Sequence, residues 1–207
     1  MGGGLPKQFR DWGGRPLLKA TVEAFFAPGM PHLAGIALAV PASHLAEAQA
    51  WAFPAPCWVV QGGETRQSSV WAALQVLPDL PMAPVMIHDA VRPFPPALPL
   101  WEALEALNRY DGVLLGEPST DTLKRVDAGG RVLRTEPREE FFRAQTPQTA
   151  RLATWRQAFR AAEADGYTGT DDVALLERLG LAVKLISSPS SNLKLTTPED
   201  WERAQPR

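Results

Sequence analysis

The chain of 207 residues carries a net charge of −2 and is 45% hydrophobic, which is typical of one globular domain with a substantial core. Lysine and arginine form no basic run, which argues against a nucleic-acid groove, and no apolar run approaches the roughly 20 residues that span a bilayer. The single cysteine, Cys57, excludes an internal disulfide, and three histidines argue against a zinc cluster. With no visible signal peptide, these features predict a cytoplasmic protein.

Apolar runs alternate with amphipathic stretches along the first half of the chain. Strands are predicted at residues 35–40, 58–60, 85–87 and 112–115, and helices from about residue 43, after Gly63 and over residues 98–107. In the helix after Gly63, the apolar residues Val70, Leu74 and Leu77 share one face. This alternation predicts an α/β fold, Rossmann-like, with a mostly parallel sheet and helices on both faces.

The pattern changes between Pro118 and Pro147. Two short runs, at 122–126 and 132–135, flank Asp127-Ala128-Gly129-Gly130, and this combination is typical of a β-hairpin. A hairpin that lies outside a parallel sheet is an arm, and an arm needs a surface to pack on. We therefore predict one domain over residues 1–207, with residues 118–147 protruding as a dimerisation arm.

The last third of the chain returns to the earlier pattern. Helical spacing is predicted from Leu152 to Ala162 and again over residues 172–179, and a strand follows at 183–186. Thr197 is a helix N-cap candidate, because proline follows it and two acidic residues occupy the first turn. The two acids Asp171 and Asp172 are likewise interpreted as helix N-terminal residues.

Two segments carry residues suited to phosphate chemistry. Lys7 follows Gly2, Gly3 and Gly4 closely in sequence, and unblocked backbone N–H groups beside a lysine suit a polyphosphate. Asp89 and Arg92 come directly after the strand at 85–87, where open α/β sheets bind ligands. His88, beside them, is interpreted as a structural residue at the strand end.

Seven short segments, in register along essentially the whole chain, resemble the family of 2-C-methyl-D-erythritol 4-phosphate cytidylyltransferases. They are Pro6-Lys7-Gln8-Phe9, Gly62-Gly63-Glu64-Thr65-Arg66 with Ser68-Ser69-Val70, His88-Asp89-Ala90-Val91-Arg92-Pro93, Asp121-Thr122-Leu123-Lys124, Ala144-Gln145-Thr146-Pro147-Gln148, Thr170-Asp171-Asp172, and Asn192-Leu193-Lys194 with Thr197-Pro198-Glu199-Asp200. The resemblance implies condensation of CTP with a polyol phosphate, with release of pyrophosphate, in non-mevalonate isoprenoid synthesis.

The resemblance also implies roles for individual residues. The catalytic residues it implies are Lys7, Arg138 and Lys194. The substrate-binding residues are Asp89, Arg92, Thr122 and Thr146, and the nucleotide-binding residues are Gly62, Gly63 and Ser69. By resemblance the protein is a homodimer whose arm brings Thr122 and Arg138 to the partner's site. Mg²⁺ is expected on the triphosphate, held mainly by phosphate oxygens and not by protein ligands.

The sequence leaves two alternative functions open and differs from the family pattern at its start. The chain could act on another polyol phosphate, such as ribitol 5-phosphate, or be a degenerate member that dimerises without turnover. Family members begin with an apolar strand and a glycine loop carrying a catalytic arginine, and here Met1 stands after both. The expectation is that Met1 is an internal methionine of a longer protein, with roughly 20 residues missing.

Overall fold

The computed structural model describes residues 5–204, so Gly2–Gly4 beside Lys7 lie outside the described residues. The helices are α1 (Leu17–Ala24), α2 (Leu45–Gln49), α3 (Arg66–Val76), α4 (Ala97–Ala106), α5 (Leu152–Ala164), α6 (Val173–Arg178) and α7 (Pro198–Arg203). The strands are β1 (Ile36–Val40), β2 (Cys57–Gln61), β3 (Pro84–Ile87), β4 (Gly112–Pro118), β5 (Lys124–Val126), β6 (Val132–Thr135), β7 (Phe142–Arg151) and β8 (Val183–Ser187). The order confirms the predicted alternation of helices and strands.

The strands form three sheets. β1 and β2 pair in parallel, and β5 and β6 form the predicted antiparallel hairpin. The central sheet has the order β3-β7-β4-β8, in which β4 and β8 are parallel and β7 runs antiparallel to both of its neighbours. Within residues 5–204, no ladder joins the β1–β2 pair to the central sheet.

Helices cover both faces of the central sheet. Leu114 packs with α5 and α6, whereas its neighbours Val113 and Leu115 pack with α4. Since successive side chains of a strand point to opposite faces, these two clusters lie on opposite sides of the sheet. The α/β architecture predicted from the sequence is thereby confirmed.

Strand β7 extends the central sheet into the predicted arm. Its residues 142–145 pair with the end of β4 and its residues 148–151 with β3 and the start of β4, so residues 142–147 belong to the sheet, and the hairpin itself is β5–β6. Between these two halves the register shifts, because Leu114 faces Gln148 while Leu115 faces Gln145. Pro147 has no N–H to donate to a ladder, which suits an irregularity of this kind. Thr146 and Pro147 consequently have no partner in β4.

The described part of the chain contains no helix that is both long enough and apolar enough to cross a membrane.

Candidate active site

Asp89 lies two residues after the end of β3 and is the centre of a cluster of charges. Its Oδ2 atom lies 3.0 Å from Lys194 Nζ and 3.4 Å from Arg92 Nε, and its Oδ1 atom lies 3.1 Å from Arg66 Nε. Only 9% of the Asp89 side chain is exposed. One nearly buried carboxylate therefore contacts three cations in the loop after β3, which the sequence predicts to bind a ligand.

The cations decide the charge state of Asp89. Burial would raise the pKa of this carboxyl, but the charges of Arg66 and Lys194 outweigh burial and lower the pKa to about 2. Asp89 is thus ionised at neutral pH. Counting Asp172, which contacts Arg66, the cluster has three positive and two negative charges, and the positive excess suits an anionic ligand.

His88 and Thr146 fix the backbone on either side of Asp89. His88 Nε2 lies 2.9 Å from the carbonyl oxygen of Arg92, which can only accept, so Nε2 carries the ring proton. His88 Nδ1 is then an acceptor, 3.0 Å from Thr146 Oγ1. The same hydroxyl accepts the N–H of Asp89 at 3.0 Å and donates its proton to His88. Burial lowers the pKa of His88 to about 4, which keeps the ring neutral and this chain of bonds intact.

Asn192 docks the segment that carries Lys194. Its side-chain N–H groups donate to Gln145 Oε1 at 2.9 Å and to the Thr146 carbonyl at 2.8 Å, and its backbone carbonyl accepts from Arg92 Nη1 at 2.7 Å. Three residues later, the Leu195 N–H donates to the carbonyl of Val91 at 2.8 Å. Lys194 is therefore held between two anchored positions, with its ammonium group on Asp89.

Arg66 is the first residue of α3 and connects Asp89 to Asp172. Its two terminal nitrogens form a bidentate pair with Asp172, at 2.8 Å and 2.6 Å. Burial raises the pKa of Asp172, and burial would lower that of Arg66, but the two carboxylates raise the Arg66 pKa instead. Asp172 stands just before α6, as predicted, yet both its oxygens are bound by an arginine 106 positions away in sequence.

Of the predicted nucleotide-binding residues, Gly62 and Gly63 lie in the turn between β2 and α3, and Ser69 lies in the first turn of α3. The Gly62 N–H donates to the Val40 carbonyl at 2.8 Å, and Ser69 Oγ donates to the Thr65 carbonyl at 2.8 Å. There is no room for larger residues, since a Cβ on Gly62 would lie 2.8 Å from Ser69 Oγ and one on Gly63 would lie 2.2 Å from Ser68 Oγ. The turn adjoins Arg66 and so adjoins the Asp89 cluster.

The remaining predicted residues fall into two groups. The Lys7 ammonium donates to the carbonyl of Thr196, two residues after Lys194, so both lysines lie at the same end of the molecule. Thr122 and Arg138 lie on the arm, where Arg138 Nη1 donates to the Thr120 carbonyl at 3.0 Å. Within the described residues, no hydrogen bond or ion pair links Arg138 to the Asp89 cluster.

Of the predicted site residues, Asp89, Arg92 and Lys194 lie in one charge cluster, and Thr146 contacts it through the Asp89 N–H. Sequence reasoning did not select Arg66, Asn192 or Asp172. Arg66 stood within one of the quoted segments, but its partners are 23 and 106 positions away, and no local pattern reveals such pairs. Over residues 5–204, no group of three or more His, Cys, Asp or Glu side chains could hold a metal ion.

An α/β fold with a Gly-Gly turn and converging cations beside it suits a nucleotidyltransferase. A family model described as "IspD: 2-C-methyl-D-erythritol 4-phosphate cytidylyltransferase" matches residues 1–206. The chain belongs to this family of cytidylyltransferases.

Individual relatives agree with the family match. The 2-C-methyl-D-erythritol 4-phosphate cytidylyltransferase of Symbiobacterium thermophilum is 39% identical over 205 residues, which cover 99% of this chain and 86% of that protein. The enzyme of the same name from Acidobacterium capsulatum is 38% identical, covering 96% and 85%. Among solved structures, that of the Thermus thermophilus enzyme is 32% identical with a TM-score of 0.77, covering 97% of this chain and 92% of its own.

Proposed function

We propose that the chain condenses CTP with 2-C-methyl-D-erythritol 4-phosphate to give the CDP-linked polyol and pyrophosphate, in non-mevalonate isoprenoid synthesis. The observation that carries this proposal is the cluster of Lys194, Arg92 and Arg66 around Asp89, beside the Gly62–Gly63 turn. The family match and the relatives of the same name support the choice of substrates.

The reaction requires positioning and positive charge. A phosphate oxygen of the polyol phosphate attacks the α-phosphorus of CTP, a new P–O bond forms, and the bond from that phosphorus to the oxygen bridging to the β-phosphate breaks. Pyrophosphate leaves with the bonding electrons. Negative charge grows on the oxygens around the α-phosphorus, so fixed cations lower the barrier. Lys7 and Lys194 are the cations proposed for this role.

The polyol phosphate is proposed to bind at the Asp89 cluster. Both oxygens of Asp89 are engaged by cations, so Asp89 orients Lys194 and Arg92 towards the anionic substrate. Thr146 donates its proton to His88, and the substrate contact predicted for it is therefore made as an acceptor, beside its support of the Asp89 backbone. This arrangement exists before substrate arrives, which reduces the reorganisation needed for reaction.

The cytosine base is proposed to bind beside Gly62, Gly63 and Ser69, where the lack of larger side chains lets a base edge approach the backbone. Mg²⁺ is proposed to arrive on the triphosphate. The cationic surroundings of Asp89 fit an ion held by phosphate and water oxygens and not by protein carboxylates. When bound, the ion would neutralise part of the triphosphate charge.

The protein is proposed to act in the cytoplasm, where CTP is available. Its active form is proposed to be a homodimer. The arm exposes a set of apolar side chains that a second copy could cover: Val126, Val132, Leu133 and Phe142. Larger exposed apolar patches commonly mark interaction sites. Arg138 and Thr122 on this arm would then reach the partner's active site.

The test is a pyrophosphate-release assay with CTP and a panel of polyol phosphates. We expect release with 2-C-methyl-D-erythritol 4-phosphate, little with ribitol 5-phosphate, and a CDP-linked product of the expected mass. UTP and ATP in place of CTP serve as controls for the base. Preference for ribitol 5-phosphate would show that the alternative substrate is the correct one. Absence of pyrophosphate release with every acceptor would contradict the proposed activity.

A further inference from the structure

Arg66 bridges two regions that the proposed function assigns to different substrates. It begins α3 directly after the nucleotide turn, and the Thr65–Ser68 capping box fixes that helix start. Its Nε reaches across to Asp89 Oδ1 at 3.1 Å, in the loop assigned to the polyol phosphate. Three of the five guanidinium N–H donors are used by the two carboxylates of Asp89 and Asp172.

Asp172 is built as a rigid support for Arg66. Its side chain is 2% exposed and both oxygens accept from the guanidinium. The loop around it is tied to β7, because Gln148 Nε2 donates to Asp171 Oδ2 at 2.9 Å and Gln148 Oε1 accepts the Val173 N–H at 2.8 Å. Gln148 lies only two residues beyond Thr146, which supports the Asp89 backbone. Arg66 and Asp89 are therefore anchored to the same strand.

We propose that Arg66, held by Asp172, is a positioning residue that fixes Asp89, and through it Lys194, relative to the nucleotide turn. This inference rests on the proposed function. A planar guanidinium can bind two carboxylates at fixed angles, which an ammonium group cannot do. Without Asp172, the Arg66 guanidinium loses the pair that fixes its orientation, so Asp89 Oδ1 loses a fixed partner while Arg92 and Lys194 still contact Oδ2.

The consequence is a selective loss of turnover. Misplacing a catalytic group by about 1 Å costs up to roughly 100-fold in rate. Binding of CTP depends on the turn at Gly62 and Gly63, which the substitution leaves in place. The Asp172→Asn variant should therefore show a lower kcat with a KM for CTP close to that of the wild type.

The experiment measures kcat and both KM values for Asp172→Asn, Arg66→Lys and the double variant, with thermal unfolding of each. We expect kcat to fall at least about 10-fold in each single variant. The double variant should be no worse than the worse single one, since residues that act in series are not additive. The matched control is Asp165→Asn, which removes the exposed Asp165–Arg178 pair at 2.8 Å near the same helix and should leave kcat within about twofold.

Other results would contradict either the positioning role of Arg66 or the proposed function. Unchanged kcat with a lower Tm would make the Arg66–Asp172 pair a purely structural bridge. A raised KM for CTP with normal kcat would make Arg66 a direct nucleotide contact. If Asp172→Asn does not fold, Arg66→Lys, at a half-exposed side chain, carries the same test. A wild type that releases no pyrophosphate contradicts the proposed function, whereas an active wild type with fully active variants contradicts the positioning role alone.

Discussion

Lys194 is an exposed lysine whose position is set by its neighbours. Asn192 and Leu195 anchor the backbone on either side, and Asp89 holds the ammonium group at 3.0 Å. Such a charge is fixed before the substrate arrives, which is the arrangement that stabilises a developing negative charge. Lys7 reaches the same end of the molecule through the carbonyl of Thr196.

We expect Lys194→Ala and Lys7→Ala each to lower turnover by roughly 100-fold or more, because a preorganised charge is lost. The free energy of unfolding should hardly change for Lys7→Ala, since exposed lysines contribute little to folding, and should fall modestly for Lys194→Ala, which removes one of three cations from the nearly buried Asp89. Pyrophosphate release under saturating substrates measures the effect. Lys184→Ala, at an exposed lysine of β8, is the control and should keep full turnover. Near-normal release by either test variant would remove that lysine from the mechanism.

His88 makes the stability of the fold depend on pH. Burial lowers its pKa from 6.5 to about 4, so between these values the unfolded chain binds a proton that the folded chain does not. Stability is then complete above about pH 6.5 and decreases as the pH falls towards about 4, by up to about 1.4 kcal/mol per pH unit. Asp89, with its pKa lowered to about 2, acts only in a more acidic range.

We predict that His88→Gln flattens this dependence, although it lowers stability at neutral pH by breaking the bonds to Thr146 and Arg92. Urea unfolding at pH 7, 6 and 5 gives the free energy of unfolding for both proteins. The wild-type curve should fall more steeply between pH 6.5 and 5 than the variant curve. Parallel curves would show that His88 is not the group that takes up the proton.

At the scale of elements, the sequence predicted most of the architecture and missed two pieces. The apolar runs of β1, β3 and β4 identified them, and the Gly129–Gly130 signal identified the hairpin. β7 was missed because Phe142–Arg151 contains proline and glutamine and lacks regular apolar alternation. The alternation is absent because the central residues of β7 are buried on both faces of the sheet and several of them bind polar partners. α1 was missed because Leu17–Ala24 follows a Gly- and Arg-rich stretch with no N-cap side chain.

Within the site, too, sequence patterns located some side chains and not others. Residues near the ends of predicted strands, such as Asp89 and Gly62, could be placed because strand ends carry ligand sites. Pairs such as Arg66 with Asp172 or Asn192 with Gln145 depend on the three-dimensional path of the chain. Periodicity and local motifs carry no information about such distant partners.

The turn between β2 and α3 provides a test at the scale of an element. A Cβ at residue 63 would lie 2.2 Å from Ser68 Oγ and 2.6 Å from Ser68 Cβ, and Ser68 is half of the α3 capping box with Thr65. We expect Gly63→Ala to destabilise the fold by about 1–2 kcal/mol through the displaced cap and to raise the KM for CTP.

Gly129→Ala in the hairpin turn is the matched control, because its Cβ would meet its nearest neighbour, Asp127 Oδ1, at an ordinary 3.4 Å. Its unfolding free energy should stay within about 0.5 kcal/mol of the wild type. Urea unfolding and CTP titration of both variants check the prediction. A Gly63→Ala variant with normal stability and normal KM would mean that the turn adapts without cost.

At the scale of the whole molecule, the arm decides whether one chain forms a complete site. Arg138 bonds to Thr120 within the arm, while Lys7 and Lys194 lie together elsewhere. If the arm crosses to a partner, each site combines the lysines of one subunit with the arginine of the other. The protein should then sediment as a dimer, and Arg138→Ala should weaken use of the polyol phosphate more than use of CTP.

Mixed dimers test this crossing directly. In a heterodimer of Lys7→Ala and Arg138→Ala subunits, crossing places both substitutions in one site and leaves the other site intact. Random assembly of co-expressed subunits in a closed two-fold dimer should therefore restore about a quarter of wild-type activity. The control pair, Lys7→Ala with Lys194→Ala, damages both sites of every heterodimer and should restore none. Rescue in both mixtures, in neither, or full activity of a monomer would contradict the crossed arm.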